Sequence, residues 1–270
     1  MDDGTRITDI GIDAVLRPPT RNGADILADH VRSPGLRLIG AIPAFELKFV
    51  LDESLAEKVT RWCSARMQPD PHGDPALGGL YRTTTLYLDT AAFDIVHGVG
   101  AFRWHKYRLR RYGHEPWVFA ERKRKAGDRV RKRRATIAGA DVARLADASS
   151  PAQSWAGAGF RRLVQRLCLR PACLIGYERR AFIGVVAEGP VRLTLDHHLR
   201  GQRWNEWIVA DHADGVPLLQ AQVVCELKFQ NGLPLLFKQL LAELQLVARS
   251  ASKYCLAVQA CAAQTPGVTA

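Results

Sequence analysis

Positively charged side chains recur at every second position in several short segments of this 270-residue sequence. In a β-strand, residues two apart lie on the same face, so each segment places its charges on one face. Guanidinium and ammonium groups both bind phosphate oxygens well, which predicts a phosphate-rich ligand. The cations in this pattern are Lys48, Lys106, Arg108, Arg110, Lys123, Lys125, Lys132, Arg134, Arg179, Arg192 and Lys228.

Four carboxylates, Glu46, Glu121, Asp196 and Glu226, lie on the same charged faces. On any one strand a charged face is ordinarily the solvated one, but here the pattern spans nearly every segment. Because charges inside a protein need partners, converging faces would pair these acids with the cations and leave carboxylate oxygens for a metal ion. Oxygen ligands suit hard cations, so we predict Mg²⁺ or Mn²⁺ as the cofactor.

The net charge of +11 is concentrated in one part of the chain. Residues 103–134 hold 14 Lys and Arg against three acids, and the rest of the chain holds 24 basic and 24 acidic residues. A local positive field of this kind attracts polyanions: nucleic acid, an anionic membrane surface or condensed phosphate.

The pattern of apolar and polar residues predicts about eight strands, with few helices between them, as the elements that carry these residues. This pattern predicts an α+β fold, a closed antiparallel eight-stranded β-barrel with flanking helices. The segment from Glu46 to Phe49 recurs from Glu226 to Phe229, which suits first and last strands that pair to close the ring. Predicted strands cover residues 45–51, 83–89, 103–112, 117–125, 130–137, 174–183, 191–197 and 222–230. Predicted helices cover residues 54–67, 158–169, 235–247 and 252–261, the first capped by Ser54.

The domain organisation predicted is one domain over residues 44–261, with a loosely ordered leader at 1–43 and a flexible tail at 262–270. The N-terminus lacks the basic region of a secretory signal, and no apolar run is long enough for a membrane span. We therefore expect a cytoplasmic protein. Its six cysteines form no Cys-x-x-Cys pair, which favours reduced, buried thiols.

Nine short segments, taken together and in order, carry a family resemblance over residues 45–256. The sequence resembles the VTC (vacuolar transporter chaperone) domain, the polyphosphate polymerase branch of the CYTH-like triphosphate tunnel metalloenzymes. The matching segments are residues 46–49, 85–90, 106–110, 121–123, 132–134, 177–182, 192–196, 226–228 and 252–254.

The resemblance implies a metal-dependent phosphotransferase that takes ATP or another nucleoside triphosphate and makes polyphosphate in a basic tunnel. It implies that Glu226 holds the metal, with Glu46, Glu121 and Asp196 as further candidate ligands from the charged faces. On this basis the catalytic residues are Lys48, Arg108, Arg110, Lys123, Arg179 and Arg192. The substrate-binding residues are Lys106, Lys125, Lys132, Arg134, Tyr177, Lys228, Ser252 and Lys253.

Two positions depart from the family pattern. The wider superfamily often begins with Glu-x-Glu-x-Lys, and here Ala44 stands at the first of these positions. Lys125 stands where eukaryotic members have a phosphate-contacting His. The loss of one carboxylate resembles the polymerase branch more than the triphosphatase branch.

Two alternatives remain open from the sequence. The first is an inorganic triphosphatase or polyphosphate hydrolase, in which water replaces the phosphate acceptor and Glu46 or Glu121 acts as base. The second is a noncatalytic binder of polyphosphate or nucleic acid that uses the surface of residues 103–134, with Trp104, Tyr107 and Trp117 for stacking. Nucleic acid is the less favoured ligand, and the sequence leaves open whether a membrane partner protein exists.

Overall fold

Eight antiparallel strands close into a ring, so that each has a hydrogen-bonded neighbour on both sides. The structure is a computed structural model that describes residues 44–127, 129–147, 155–249 and 251–262. The predicted leader at 1–43 and residues 263–270 of the predicted tail lie outside the described residues. The ring confirms the predicted barrel, although its strands are not arranged evenly around one axis.

The ring runs in the order β7-β3-β4-β5-β6-β1-β10-β8, and β8 pairs with β7 to close it. Two-residue strands, β2 (Gln68–Pro69) and β9 (Val216–Pro217), add to its outside. The ring strands are β1 (Ala44–Asp52), β3 (Tyr81–Asp89), β4 (His105–Tyr112), β5 (Trp117–Ala126), β6 (Arg129–Ala138), β7 (Arg170–Val186), β8 (Gly189–Arg203) and β10 (Gln222–Phe229).

The two ends of the barrel segment meet as predicted, because β1 pairs with β10 from Phe45 to Asp52. The β1–β6 seam is much shorter and joins only Ala44 to Val130 and Phe45 to Arg129. Beyond the seam, the Arg249 amide donates to the Lys48 carbonyl at 2.8 Å. The segment before the last helix therefore covers part of the edge of β1 that β6 leaves unpaired.

Five described helices flank the ring: α1 (Glu53–Ser64), α2 (Asp94–His97), α3 (Ala158–Arg166), α4 (Leu235–Glu243) and α5 (Lys253–Ala262). The first begins earlier than predicted. Its N-cap is Asp52, whose carboxylate accepts the Leu55 amide at 2.8 Å, so Ser54 lies inside the first turn. Asp52 caps because it ends β1 in an extended conformation that leaves its carboxylate free to turn back.

Apolar side chains on the outer face of the ring pack under these helices in two clusters. One places α1 and α4 against β1, β8 and β10, around Phe49, Leu193 and Phe237. The other includes outer positions of β3 to β6 with Phe160 of α3, and extends to Tyr254 of α5. Burial of the outer faces gives the main hydrophobic stabilisation and leaves the inner face for charged side chains. All six cysteines are free thiols, as predicted, and four of them are buried, but Cys168 is exposed and Cys255 is half-buried.

Asp89 joins β3, α2 and α5 through one fully buried carboxylate. It accepts the amides of Thr90, Ile95 and Val96 at 2.8 to 3.1 Å and the hydroxyl of Tyr254. We expect Asp89→Ala to lower the free energy of unfolding by about 3 kcal/mol or more, because four donors lose a charged acceptor. Urea unfolding measures this.

The matched control for this prediction is Asp214→Ala, which removes an exposed carboxylate. It should change the free energy of unfolding by less than about 0.5 kcal/mol. Equal effects of the two substitutions would show that Asp89 does not anchor these elements.

Candidate phosphate-binding tunnel

The inner face of the ring collects the charged positions of the sequence pattern into one lumen. Cross-strand pairing sets Lys48 opposite Glu226, Arg108 opposite Glu121 and Arg179 opposite Asp196. Lys253 joins them from α5. The described inner faces and α5 together carry twelve cations: Lys48, Lys106, Arg108, Arg110, Lys123, Lys125, Lys132, Arg134, Arg179, Arg192, Lys228 and Lys253.

Glu121 organises the cations of β4 and β6. Its fully buried carboxylate lies 2.7 Å from Arg108, 2.6 Å from Arg134 and 3.2 Å from Lys132. Burial raises the pKa of Glu121, but these three cations outweigh it and hold the pKa well below its usual range. Both oxygens of Glu121 are thus engaged, so its evident role is to fix the three cations in place.

Asp196 plays the same role on the opposite wall. Arg179 donates to its two carboxylate oxygens, from Nε at 2.6 Å and from Nη2 at 2.8 Å, and Lys253 Nζ lies 2.7 Å from Asp196 Oδ2. Burial raises the pKa of Asp196, yet Arg179 and Lys253 lower it to about 2. Tyr177 lies beside both cations, with its ring centroid 5.3 Å from each.

A third cluster combines two acids around one lysine. Lys48 Nζ lies 3.3 Å from Glu46 and 3.2 Å from Glu226, while Lys123 reaches Glu46 at 2.8 Å and Lys228 reaches Glu226 at 3.1 Å. Burial and the charge of Glu226 raise the pKa of Glu46, but the lysines lower it to about 2. Both carboxylates therefore stay charged at neutral pH.

Glu46 and Glu226 have the donor chemistry for Mg²⁺ or Mn²⁺. Glu46 Oε1 is buried and accepts no hydrogen bond among the described residues, although Lys48 Nζ lies 3.3 Å from it, so it has capacity for a further ligand. Among the described residues no three His, Cys, Asp or Glu side chains gather as a metal cage. Two carboxylates with phosphate oxygens and water as the other ligands fit a hard cation that keeps part of its water shell.

Three inner cations, Lys106, Arg110 and Lys125, have no carboxylate partner among the described residues, and Lys125 is exposed. Arg110 is 5% exposed, and its Nε donates to Thr85 Oγ1 at 3.1 Å. Lys106 Nζ donates to Ser252 Oγ at 2.7 Å. A buried guanidinium with no counter-charge is costly unless a ligand supplies the charge. Arg110 therefore has the clearest physical reason among these cations to bind an anion such as phosphate.

Asp70 is a site residue that sequence reasoning missed. It follows β2 in a loop, and its carboxylate lies 2.6 Å from Arg192. Arg192 also donates to the Tyr81 hydroxyl at 3.0 Å. The loop has no period-two alternation that would assign Asp70 to a face. The inward position of Tyr81, by contrast, follows from its spacing to Thr83 and Thr85 on β3.

Two lysines of the lumen titrate near neutral pH. Burial lowers the pKa of Lys123 to about 7 and that of Lys132 to about 8, against the attraction of Glu46 and Glu121. The ammonium forms bind phosphate, and they exist below these pKa values. We expect the dissociation constant for tripolyphosphate to rise several-fold from about pH 7 to about pH 9.5, measured by calorimetry.

Lys132→Arg is the control for this pH dependence, since a guanidinium stays charged throughout this range. The variant should show a shallower loss of affinity at alkaline pH. An unchanged pH profile in both proteins would rule out these lysines as the titrating groups.

A closed β-tunnel lined with cations and a few carboxylates defines a class of polyanion-binding proteins. The VTC domain family matches residues 44–262, and the chain belongs to this family. No curated protein sequence matches the chain significantly. No helix among the described residues is long and apolar enough to cross a membrane.

Three solved structures are similar to the chain at low sequence identity. The PH1819 protein from Pyrococcus horikoshii OT3 is 15% identical with a TM-score of 0.45, covering 80% of this chain and 98% of its own. HpAC1 from Hippeastrum, a candidate adenylyl cyclase described as having a dominant triphosphatase activity, is 13% identical with a TM-score of 0.47, covering 81% and 96%. A candidate adenylate cyclase from Vibrio parahaemolyticus is 11% identical with a TM-score of 0.44, covering 79% and 97%.

Proposed function

We propose that this protein is a metal-dependent polyphosphate polymerase that transfers the γ-phosphoryl group of a nucleoside triphosphate to a polyphosphate chain. The observation that carries the proposal is the charge of the lumen. Its twelve cations face five carboxylates, Asp70, Glu46, Glu121, Asp196 and Glu226. Among the described residues the excess is seven positive charges, or five when Lys123 and Lys132 are neutral. Both values exceed the roughly four negative charges of one triphosphate, so the lumen suits a nucleotide and a phosphate chain together.

In this mechanism a terminal oxygen of the chain attacks the γ-phosphorus, the bond to the β–γ bridging oxygen breaks, and nucleoside diphosphate leaves. Arg108 and Arg110 on β4, with Arg179 and Arg192 opposite, would hold the phosphate oxygens in line and offset their charge. Lys253 would add a cation from α5. A divalent ion held by Glu226 and Glu46 would supply further neutralisation of the phosphate oxygens.

Hydrolysis is the second candidate, and Glu46 is the observation in its favour, because its Oε1 accepts no hydrogen bond among the described residues and could accept a proton from water. A carboxylate with a pKa of about 2 is nevertheless a weak base. Both oxygens of Glu121, the other candidate base, are engaged by cations. A phosphate acceptor arrives already deprotonated and needs no base, which favours transfer to phosphate.

The test is incubation of the purified protein with ATP and Mn²⁺, followed by gel analysis and phosphorus NMR of the products. Polyphosphate with release of ADP is the expected result. Orthophosphate alone would replace the proposal with the hydrolase. Binding of polyphosphate without turnover, under either metal, would leave only a noncatalytic binder.

A further inference from the structure

Half of the basic residues between 103 and 134 point away from the lumen. Among these outward arginines, Arg111 pairs with Asp211, Arg103 lies over the Trp104 ring and Arg129 lies over the Phe45 ring. The other four form a compact group on β5 and β6. We call Arg122, Arg124, Arg131 and Arg133 the outer arginine face.

The outer arginine face places like charges directly opposite one another. In the β5–β6 register Arg122 faces Arg133 and Arg124 faces Arg131. Neighbouring strands lie roughly 5 Å apart and residues two apart in a strand are roughly 7 Å apart, so the four arginines form a small rectangular grid. Like charges in direct cross-strand pairs are destabilising, so the free protein bears a cost at this face.

Nothing among the described residues neutralises this grid. None of the four arginines forms an ion pair with a described carboxylate, whereas Glu121 alone engages three cations of the lumen. Three of the four, Arg124, Arg131 and Arg133, are exposed. Arg166 of α3 is also exposed. Burial raises the pKa of Tyr107 against the charges of Arg122 and Arg166, so both arginines lie near this tyrosine and the positive surface extends toward α3.

The outer arginine face begins where the helices no longer cover the sheet. On the same outer face, Ala120 and Ala135 form the preceding cross-strand pair and are buried. Tyr107, beside Arg122 in the sheet, is only 4% exposed. Trp104 is 43% exposed, but Arg103 lies 4.3 Å over one face of its ring. A single-stranded nucleic acid needs open aromatic rings for stacking, and this surface offers it little.

We infer that the outer arginine face binds inorganic polyphosphate outside the tunnel, as a second binding site for a chain longer than the lumen. Arginine forks suit repeated phosphate groups, and the same two strands present Lys123 and Lys132 to the lumen. One long chain can therefore contact both surfaces of this hairpin. The choice of polyphosphate as the occupant rests on the proposed function.

The test compares the purified protein with R122Q/R124Q/R131Q/R133Q. Fluorescent polyphosphate of about 100 phosphates and unlabelled tripolyphosphate are the two probes, at about 0.15 M salt. We expect the variant to bind the long chain at least about tenfold more weakly, with a salt dependence reduced by roughly three in the log–log slope. Its affinity for tripolyphosphate should change by less than about twofold, because that ligand reaches only the lumen.

The matched charge control is R61Q/R200Q/R203Q/R249Q, which removes four exposed arginines elsewhere. It should retain long-chain affinity within about threefold, and circular dichroism checks that both variants fold. An equal loss in the two variants would overturn the site in favour of a general charge effect. Duplex DNA and phosphatidylglycerol vesicles serve as further probes. A loss of DNA or vesicle binding with unchanged polyphosphate binding would overturn the assigned ligand.

The measurement of long-chain binding also tests the second site independently of the proposed function. In Arg110→Met, which disables the lumen, the outer arginine face should still bind long polyphosphate. Retained binding there supports the second site even if the protein synthesises no polyphosphate. If Arg110→Met abolishes long-chain binding as well, the lumen is the only site and the inference is wrong.

Discussion

Arg110→Met is expected to weaken tripolyphosphate binding by about a hundredfold or more without destabilising the unliganded protein. Arg110 is nearly fully buried, and its nearest polar partner is the Thr85 hydroxyl rather than a carboxylate. Removal of an arginine fork from phosphate costs about 3 kcal/mol, which corresponds to this loss. Arg110 forms no ion pair with a described carboxylate that the substitution would break, so an apolar side chain of similar length should leave the free energy of unfolding about equal.

The control for this prediction is Arg111→Met, the next residue along β4. Arg111 points to the outside and pairs with Asp211 near the surface, so its loss should leave tripolyphosphate binding within about twofold. Calorimetric binding and urea unfolding of both variants separate affinity from stability. An Arg110→Met protein that binds normally, or one that unfolds, would contradict the assignment of Arg110 to phosphate.

The faces of the strands could be predicted because β-structure has a period of exact alternation. Once Lys106 is placed inside, Arg108 and Arg110 must follow, and the structure confirms this on β4. The repeat of Glu46 and Lys48 as Glu226 and Lys228 likewise predicted the pairing of β1 with β10. Local periodicity and one internal sequence repeat were thus sufficient to predict the ring and the charged side chains that its strands place inside.

The partners of each cation could not be predicted in the same way. Arg108 and Arg110 occupy equivalent positions in the alternating pattern. Which of them forms an ion pair with a carboxylate depends on how far their side chains extend across the neighbouring strands. Asp70 enters from a loop that has no period, so its contact with Arg192 depends on chain folding that the sequence pattern does not encode. The observed strand ends also differ from the predicted ones. The strand predicted to end at residue 183 continues in β7 past Gly184, because Gly184 still pairs with Val191 in the hairpin.

Glu226→Gln is expected to reduce metal-dependent turnover by about a hundredfold or more, because it removes a charged oxygen ligand from the predicted metal site. The substitution keeps the size of the side chain. Burial raises the pKa of Glu226, but Lys48, Lys228 and Lys253 hold it well below its ordinary value, so the carboxylate is charged at neutral pH. Direct Mn²⁺ binding, followed by electron paramagnetic resonance with tripolyphosphate present, should weaken in parallel with turnover.

Glu121→Gln is the matched control, since it removes a similarly buried carboxylate that also contacts three cations. Those cations lie 2.6 to 3.2 Å from Glu121, closer than the lysines at 3.1 to 3.5 Å from Glu226, which leaves Glu121 less able to take a metal ligand. We expect it to lower the free energy of unfolding by about 3 kcal/mol, because it leaves three cations less well compensated. The Mn²⁺ concentration for half-maximal binding should stay the same. If Glu121→Gln weakens Mn²⁺ binding and Glu226→Gln does not, the metal lies on the β4–β6 wall, and the roles assigned to the two carboxylates must be exchanged.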